Sequence, residues 1–562
     1  MRTLADDLAA HAARHPDRTA LDTPDGPVTY GQLDRRTREV TRLLRAHGVR
    51  PETVCAVAVE HGPDAVAAMT AVLRCGAAFL TLDVTQPRDR LASFVRSAGA
   101  RLLLTTTAHA ATLDLGTPVI ELDAPGPDAP NVRATSPSDA TAAHAPEATA
   151  ADAWHPTAAD TSASPAAADT SASPAAADTS ASPAAADTSA SPAAADTSAS
   201  PAAVDPHALA YVSHTSGSTG EPSPVFVEHQ ALDTYLRDTA RAFGLGQDTV
   251  VLQTAPLGYD ASIRDTFAPL LAGARLVLVE RARLLRPADF ARTVREHGVT
   301  ALLSVTPSFL THLAGQRDLP DPLAGVTLVA SSGESLRPFL TAGGRSLVPG
   351  RLVNQYGPTE CTMTTTRHDV PADPDPAHDV VGLPRTGATV RVLGPDLTPV
   401  PDGTVGEVYI GGTGLARGYG GLPARTAAAF LPDPYGPPGS RMYRTGDLGR
   451  WTPQGLRYEG RGDRQIKIRG YRVDPAEVEG ALLTHPAVSG AVVTPHTDDR
   501  GRVYLAAHVT GDHTTPDAAL RRHLARTLPP HLMPRRFLRH TALPTTRGGK
   551  ADRGRLVAGS TA

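Results

Sequence analysis

Helix-length and strand-length apolar segments alternate from the N-terminus to about Val380, and that alternation restricts the fold of this chain more than any other feature. Residues 4–15 and 32–47 carry apolar side chains at helical spacing, with Leu33, Val40, Leu43 and Leu44 on one face, and 54–59 is an apolar run of strand length. Predicted helices at 64–74 and 88–98 then separate strands at 79–82, 102–104 and 119–122. The pattern resumes later: strands 250–254 and 275–279 surround helix 263–271, helix 287–297 leads to strand 301–305, and strands 327–330 and 351–354 follow. Strands separated by helices of this length form a parallel sheet covered on both faces. Beyond Val380 short runs between glycine turns, at 390–393, 407–410 and 456–459, read as antiparallel β. The C-terminal stretch repeats a smaller logic: strand 466–468, helix 475–484, strands 488–493 and 503–509, helix 516–527 and a short strand near Phe537. The expected class is α/β. A large N-terminal domain, 1–459, would hold doubly wound, mostly parallel sheets plus a small β-rich subdomain, and a small mobile α+β domain, 460–562, would follow.

The alternation is interrupted at about 124–205. Between Asp160 and Val204 the nine-residue unit DTSASPAAA recurs five times, the last copy ending in Val. Units without Leu, Ile or aromatic residues cannot bury enough surface to offset chain entropy, so a disordered insertion within one domain is expected. A stacked solenoid fails because no unit has an apolar face. A net charge of −4 leaves no footprint for nucleic acid. Cys55, Cys75 and Cys361 are scattered, without metal-ligand spacing, as suits a reducing compartment. No apolar run is long enough for a membrane span, and a start bearing Asp6 and Asp7 is not a signal peptide, so a soluble cytoplasmic protein is expected.

One stretch carries chemistry on its face. Thr215, Ser216, Gly217, Ser218, Thr219 and Gly220 follow the apolar run 209–212, so they form a strand-exit loop of hydroxyls and flexible backbone. Such a loop offers several N–H groups and four hydroxyls to one anion. It is not a Walker loop, which needs four residues between its glycines and a Lys next; here Glu221 follows.

Further motifs agree in order and spacing: VTYGQL at 28–33, LRCGAAFLTLD at 73–83, LAYVSHTSGSTGEP at 209–222, YDAS at 259–262 and NQYGPTE at 354–360. GEVYIGGTGLARGY at 406–419, YRTGDL at 443–448, GRGDRQIKIRGYRVDPAEVE at 460–479, LPPHLMP at 528–534 and GGKADR at 548–553 complete the set. With these motifs the chain resembles the acyl- and aminoacyl-adenylate-forming family, specifically the adenylation domains of nonribosomal peptide synthetases.

That resemblance implies ATP and Mg²⁺ as cofactors and an amino acid carboxylate attacking the α-phosphorus. Cations and oriented donors must then neutralise two anions and the departing pyrophosphate. It implies that the loop from Thr215 to Gly220 holds the leaving phosphates, with Thr215 counted among the catalytic residues. Glu360 binds Mg²⁺; Gly333, Glu334 and Tyr356 frame the adenine, with Asn354, Gly357 and Thr359 of the same motif nearby. Asp447 accepts the ribose hydroxyls, Arg461 supports the ribose from the other domain, and Lys550 bridges the substrate carboxylate and α-phosphate. Asp260 faces the substrate ammonium. Tyr259, Ala261, Arg264, Ser304, Ala330, Ser332, Gln355, Met363 and Thr364, with Lys550, align with the pocket. Asp463 is the hinge about which the small domain swings, and residues 466–471 line the thiol approach. Taken singly, Asp260 reads equally as a helix cap, and Asp447 and Glu360 as turn acids.

The chain departs from the family at Pro222, Ser223, Pro224, where relatives carry Pro-Lys-Gly, so the loop lysine is missing, and either turnover is slower or Arg and Mg²⁺ suffice in its place. His214, where Tyr or Phe is common, reads as a turn histidine. No carrier stretch follows Arg553, so the enzyme is expected to be free-standing, to load a phosphopantetheinylated carrier protein in trans, and to admit a small accessory activator. The rival readings are an acyl-CoA ligase of the same superfamily and a non-catalytic nucleotide-binding relative. Arg264, four residues after Asp260, points either to an acidic or strongly polar substrate or to an internal partner, Asp260 or Asp265.

Overall fold

The computed structural model describes residues 3–123, 204–217, 221–316, 318–498, 502–545 and 551–559. The repeats, Ser218, Thr219, Gly220 and Lys550 lie outside the described residues.

Two sheets form the large body. In the first, the described strands lie in the spatial order Gly418–Tyr419, Ser223–Glu228, Leu209–Thr215, Ala78–Thr81, Val54–Ala58, Leu102–Thr105, Val119–Glu121. Neighbours from Leu209–Thr215 to Val119–Glu121 are parallel. Ser223–Glu228 returns antiparallel, with Thr215 opposite Ser223, and so forms the base of the hydroxyl–glycine loop. The strands on either side of residues 124–203 thus belong to one sheet.

The second sheet is parallel through Thr19–Thr23, Arg275–Val277, Val250–Leu252, Ala301–Val305, Leu328–Ser331 and Arg351–Tyr356. It continues antiparallel through Thr366–Val370, Asp379–Pro384, Gly455–Arg461, Arg441–Thr452, Gly406–Gly412 and Ala388–Leu393. Every residue of Val250–Leu252 and Ala301–Val305 is buried, as expected for strands covered on both faces. Helix Tyr30–Ala46 starts two residues before the apolar spacing predicts. Thr29 and Gln32 close a capping box there, the Gln32 carbonyl accepting from the Thr29 N–H at 2.7 Å.

Helix His229–Ala242 and strand Arg441–Thr452 are among the elements that carry no prediction from sequence. Helix His229–Ala242 buries Ala231, Leu232, Tyr235 and Leu236, but Asp233 and Asp238 are buried among them and blur the apolar stripe. Strand Arg441–Thr452 is polar in sequence and is held by ladders to strands on both sides. Strand Gly455–Arg461 sets Arg461 directly opposite Asp447. Arg461 therefore belongs to the large body's sheet, not to the other domain; Gly460, with φ 115°, lets the strand bend and stay paired.

The small body has a described sheet of Val488–Thr497, Val503–Gly511 and Arg536–Arg539, covered by helices Pro475–Leu483 and Asp517–Leu524. Val478, Leu482, Val493, Leu505, Val509, Leu520 and Leu524 form its core. Before it runs a hairpin, Ile466–Ile468 with Tyr471–Val473, whose turn residues Arg469 and Gly470 both have positive φ. Among the described residues no helix is long and apolar enough to cross a membrane.

Candidate active site

The pocket residues collect at the carboxyl ends of the parallel strands Ala301–Val305, Leu328–Ser331 and Arg351–Tyr356, where open α/β sheets place their ligands. Facing them is the start of helix Asp260–Leu271. Its N-cap is Tyr259, without a side-chain cap bond, so Asp260 does not cap the helix. The Asp260 carboxylate is buried, and its Oδ2 has no hydrogen-bond partner. Burial pushes its pKa up, against the pull of Thr359 and Arg264.

Arg264 is only 1% exposed, which is decisive for a guanidinium. Its Nε and Nη2 donate to the Ser304 hydroxyl at 3.1 and 2.7 Å, its Nη1 to the Tyr235 hydroxyl at 3.1 Å, and its Nη2 to Ser332 at 3.4 Å. Asp265 accepts from the N–H groups of Thr254 and Ala255 and from Ser304. The internal partner expected for Arg264 is therefore not a carboxylate in contact: Ser304 stands between Arg264 and Asp265. Burial works against the Arg264 charge, and Tyr235 and Asp265 outweigh it, raising the pKa.

A second buried guanidinium, Arg385, donates through Nε to the Thr364 carbonyl at 2.9 Å and lies 5.1 Å from the Tyr235 ring centroid. Thr364 and Tyr235 share a hydrogen bond of 2.9 Å, and Thr364 donates to the Gln355 carbonyl at 3.3 Å. The Gln355 Nε2 has no partner. Ala330 is buried, and the Ala261 carbonyl accepts from Ser304. Thr362 and Met363 both take positive φ, 59° and 68°, a strained turn that sets Thr364. Tyr235 and Arg385 escaped the sequence reading because neither lies in a motif.

On the opposite side the charges are mutually engaged. Glu360 is fully buried and accepts from Arg472 Nη1 at 2.9 and 3.2 Å and from the Tyr419 hydroxyl at 2.7 Å. Burial pushes the Glu360 pKa up, but Arg472 and Tyr419 outweigh it and hold it below the ordinary value. Asp447 accepts from Tyr356 at 2.7 Å and from Arg461 at 2.8 Å. Arg461 also pairs with Asp463. Glu334 accepts from the Ser308 and Gly470 N–H groups, and Gly333 abuts Gly470 so closely that a Cβ there would lie 3.2 Å from its carbonyl. Asn354 donates to Asp379 and to the Val380 carbonyl, tying strands together. At Gly357 a Cβ would lie 2.6 Å from Thr364 Cα, so only glycine fits.

Thr215 keeps a buried hydroxyl without a partner, and Ser216 donates to the Arg472 carbonyl at 3.0 Å. Lys467 sets its Nζ 5.8 Å from the Tyr356 ring and 5.2 Å from that of Tyr458; burial lowers its pKa. Tyr259 packs on Tyr471, which stacks on His531 at 3.9 Å, and Arg90 pairs with Glu477 at the same seam. His214 is not in a turn. It lies within strand Leu209–Thr215, one residue before its end, stacked on Phe94 at 4.1 Å, and burial lowers its pKa to about 3. Lys467 falls within the 466–471 stretch expected to line the thiol approach, and Arg472 carried no expected role.

The profile of the AMP-binding enzyme family matches residues 8–420. The chain belongs to that family. The profile of the AMP-binding enzyme C-terminal domain matches residues 477–550. The chain is 37% identical over 561 residues to a phosphinothricin tripeptide synthetase of Streptomyces viridochromogenes, covering 98% of this chain and 45% of the relative. It spans only 21% to 45% of the first three curated relatives it matches. Among solved structures, a nonribosomal peptide synthetase protein with adenylation and PCP domains aligns at 26% identity and TM-score 0.75, covering 99% of this chain and 84% of that one. An amide bond synthetase from Marinactinospora thermotolerans aligns at 22% identity and TM-score 0.76 over 99% of both chains and shares the fold.

The residues of this AMP-binding enzyme fit a nucleotide with its metal. Asp447 has acceptor capacity beyond its two short bonds, as a carboxylate offers about four lone-pair sites. Thr215 has a free hydroxyl facing inward. Glu360 is held by Arg472 and would offer Mg²⁺, which takes one or two carboxylates plus phosphate oxygens, a carboxylate only with Arg472 off it.

Proposed function

We propose that the chain activates an amino acid as its aminoacyl-adenylate, with release of pyrophosphate, and then passes it to a phosphopantetheine thiol on a separate carrier protein. One observation carries the amino-acid reading: the buried Asp260 carboxylate, with one oxygen unpartnered, opens the helix that faces the pocket. A buried carboxylate without a contacting cation is costly, and a substrate ammonium supplies that cation. Lys550 is assigned the charge that joins substrate carboxylate and α-phosphate, and Glu360 the Mg²⁺ that neutralises the phosphates when bound. Asp463 is assigned the hinge. With the hairpin 466–473 lying on Glu334 and Glu360, the arrangement fits the thiol-transfer state better than the adenylating one.

The other end of the pocket supports an acidic side chain. Among the described residues neither Arg264 nor Arg385 forms an ion pair, and both guanidiniums flank Tyr235. A fork-shaped donor such as Arg264 suits a carboxylate.

Pyrophosphate exchange across amino acids and their deaminated acids, followed by transfer to a holo-carrier or to free CoA, tests this reading. Exchange with an amino acid and loading of the carrier are expected. Exchange with plain carboxylic acids alone, or transfer to CoA alone, overturns it in favour of an acyl-CoA ligase; ATP binding without exchange for any acid favours a non-catalytic nucleotide-binding relative.

A further inference from the structure

The hydroxyl–glycine loop carries no cation of its own, since residues 215–223 include no Lys or Arg. A cation nevertheless stands at its base. Arg425, contributed by helix Pro423–Ala429 some two hundred positions later, donates through Nη1 to the Ser223 hydroxyl. The same Nη1 lies so close to Gly217 that a Cβ there would sit 3.2 Å from it. Its guanidinium lies 4.5 Å from the ring centroid of Tyr419, whose hydroxyl donates to Glu360. Among the described residues Arg425 forms no ion pair, so its charge is left facing the loop. Ser223 at the start of its strand and the Tyr419 ring thereby hold the guanidinium beside Gly217 of the loop, and the same Tyr419 reaches the carboxylate assigned to the metal.

We propose that Arg425 supplies the phosphate-neutralising charge that the loop lacks, binding the β- and γ-phosphates of ATP and the pyrophosphate that departs. This rests on the adenylation reading. In that reaction a substrate carboxylate oxygen bonds to the α-phosphorus, the bond from that phosphorus to the bridging oxygen breaks, and the electron pair leaves on pyrophosphate. Arg425 stays protonated throughout, as a guanidinium does, and takes no proton. It stabilises charge on the leaving oxygens.

Calorimetric titration of MgATP, pyrophosphate and AMP into parent, Arg425→Gln, Arg425→Lys and the double variant Ser223→Lys/Arg425→Gln tests this. AMP, lacking the outer phosphates, reports whether the site is otherwise intact. Arg425→Gln is expected to weaken MgATP and pyrophosphate roughly tenfold or more, the worth of one charge-assisted hydrogen bond, with AMP unchanged within about twofold. Arg425→Lys should lose less, and the double variant should recover most of the ATP affinity, because Ser223→Lys returns a cation from the strand side. Equal weakening of AMP and ATP, or no recovery in the double variant, assigns Arg425 a structural role and overturns the inference. A parent that binds no ATP overturns the adenylation reading as well, whereas ATP affinity indifferent to Arg425 overturns this inference alone.

Discussion

The two halves of the site differ in how their buried charges are settled. On the nucleotide side each carboxylate has its cation or donor: Glu360 has Arg472 and Tyr419, Asp447 has Arg461 and Tyr356, and Glu334 has the Gly470 N–H. On the acyl side Asp260 Oδ2 and Gln355 Nε2 are buried without partners, and Arg264 and Arg385 have hydroxyls and carbonyls rather than carboxylates. Buried polar groups are ordinarily satisfied, so a cluster of exceptions marks where a ligand completes the network. The carboxylates of the nucleotide half are closed by the protein's own groups, with the Thr215 hydroxyl left open beside them; the acyl half is left for the substrate to close.

The sharpest way to break this comparison is at Asp260. If the ammonium completes the acyl half, Asp260→Ala lowers kcat/KM for the preferred amino acid by roughly two to three decades, the scale for leaving a buried charge unpaired. Steady-state exchange measures it, and a rate within severalfold of the parent removes the ammonium assignment. Next in size, Arg264→Leu is expected to weaken acidic substrates about tenfold relative to apolar ones of similar volume, in line with one lost charge-assisted hydrogen bond. A parent that prefers valine, leucine or phenylalanine over every acidic candidate ends that proposal and leaves adenylation standing.

The nucleotide half gives a smaller and opposite effect. If Glu360 takes Mg²⁺, Arg472 competes for it, and Arg472→Gln should lower the half-saturating Mg²⁺ for exchange by roughly two- to fivefold, as removal of one competing state does. A magnesium titration checks it, and an unchanged midpoint shows that Arg472 does not guard the carboxylate.

The smallest effect lies in the small body. Burial, with His540 and His496 beside it, lowers the pKa of His508 to about 4 from an ordinary 6.5. The unfolded chain therefore binds the proton first as pH falls through that window, so stability is full above about 6.5 and declines toward 4. His508→Asn should flatten this part of the melting-temperature profile by a degree or two at most for one group in a chain of this size; an unchanged slope assigns the loss to other groups.

The motif residues were legible in sequence because local constraint ties them to one residue type. Gly357 is held by the approach of Thr364, and the strand–loop–strand around Thr215 follows from an apolar run ending in hydroxyls and glycine. The doubly wound α/β class was legible in the alternation of strands and helices for the same reason, since burial on both faces of a parallel strand needs continuous apolar sequence. Tyr235 and Arg385 were not legible: each lies in a polar-flanked segment with no local rule to single it out, and their meeting over Thr364 depends on which helix covers which strand end.

The sequence by itself determined the fold class and the family, because periodicity, turn residues and ordered motifs are local properties of the chain. Tertiary structure alone decided how charges separated by hundreds of positions are paired. Arg461 faces Asp447 because Gly460 keeps its strand in the sheet, Arg472 reaches Glu360 through a hairpin turn, and Arg425 comes to Ser223 across an antiparallel strand pair. Burial sets that division: a charge in a linear sequence has no environment, and its protonation, partner and role are fixed only when folding removes the water around it.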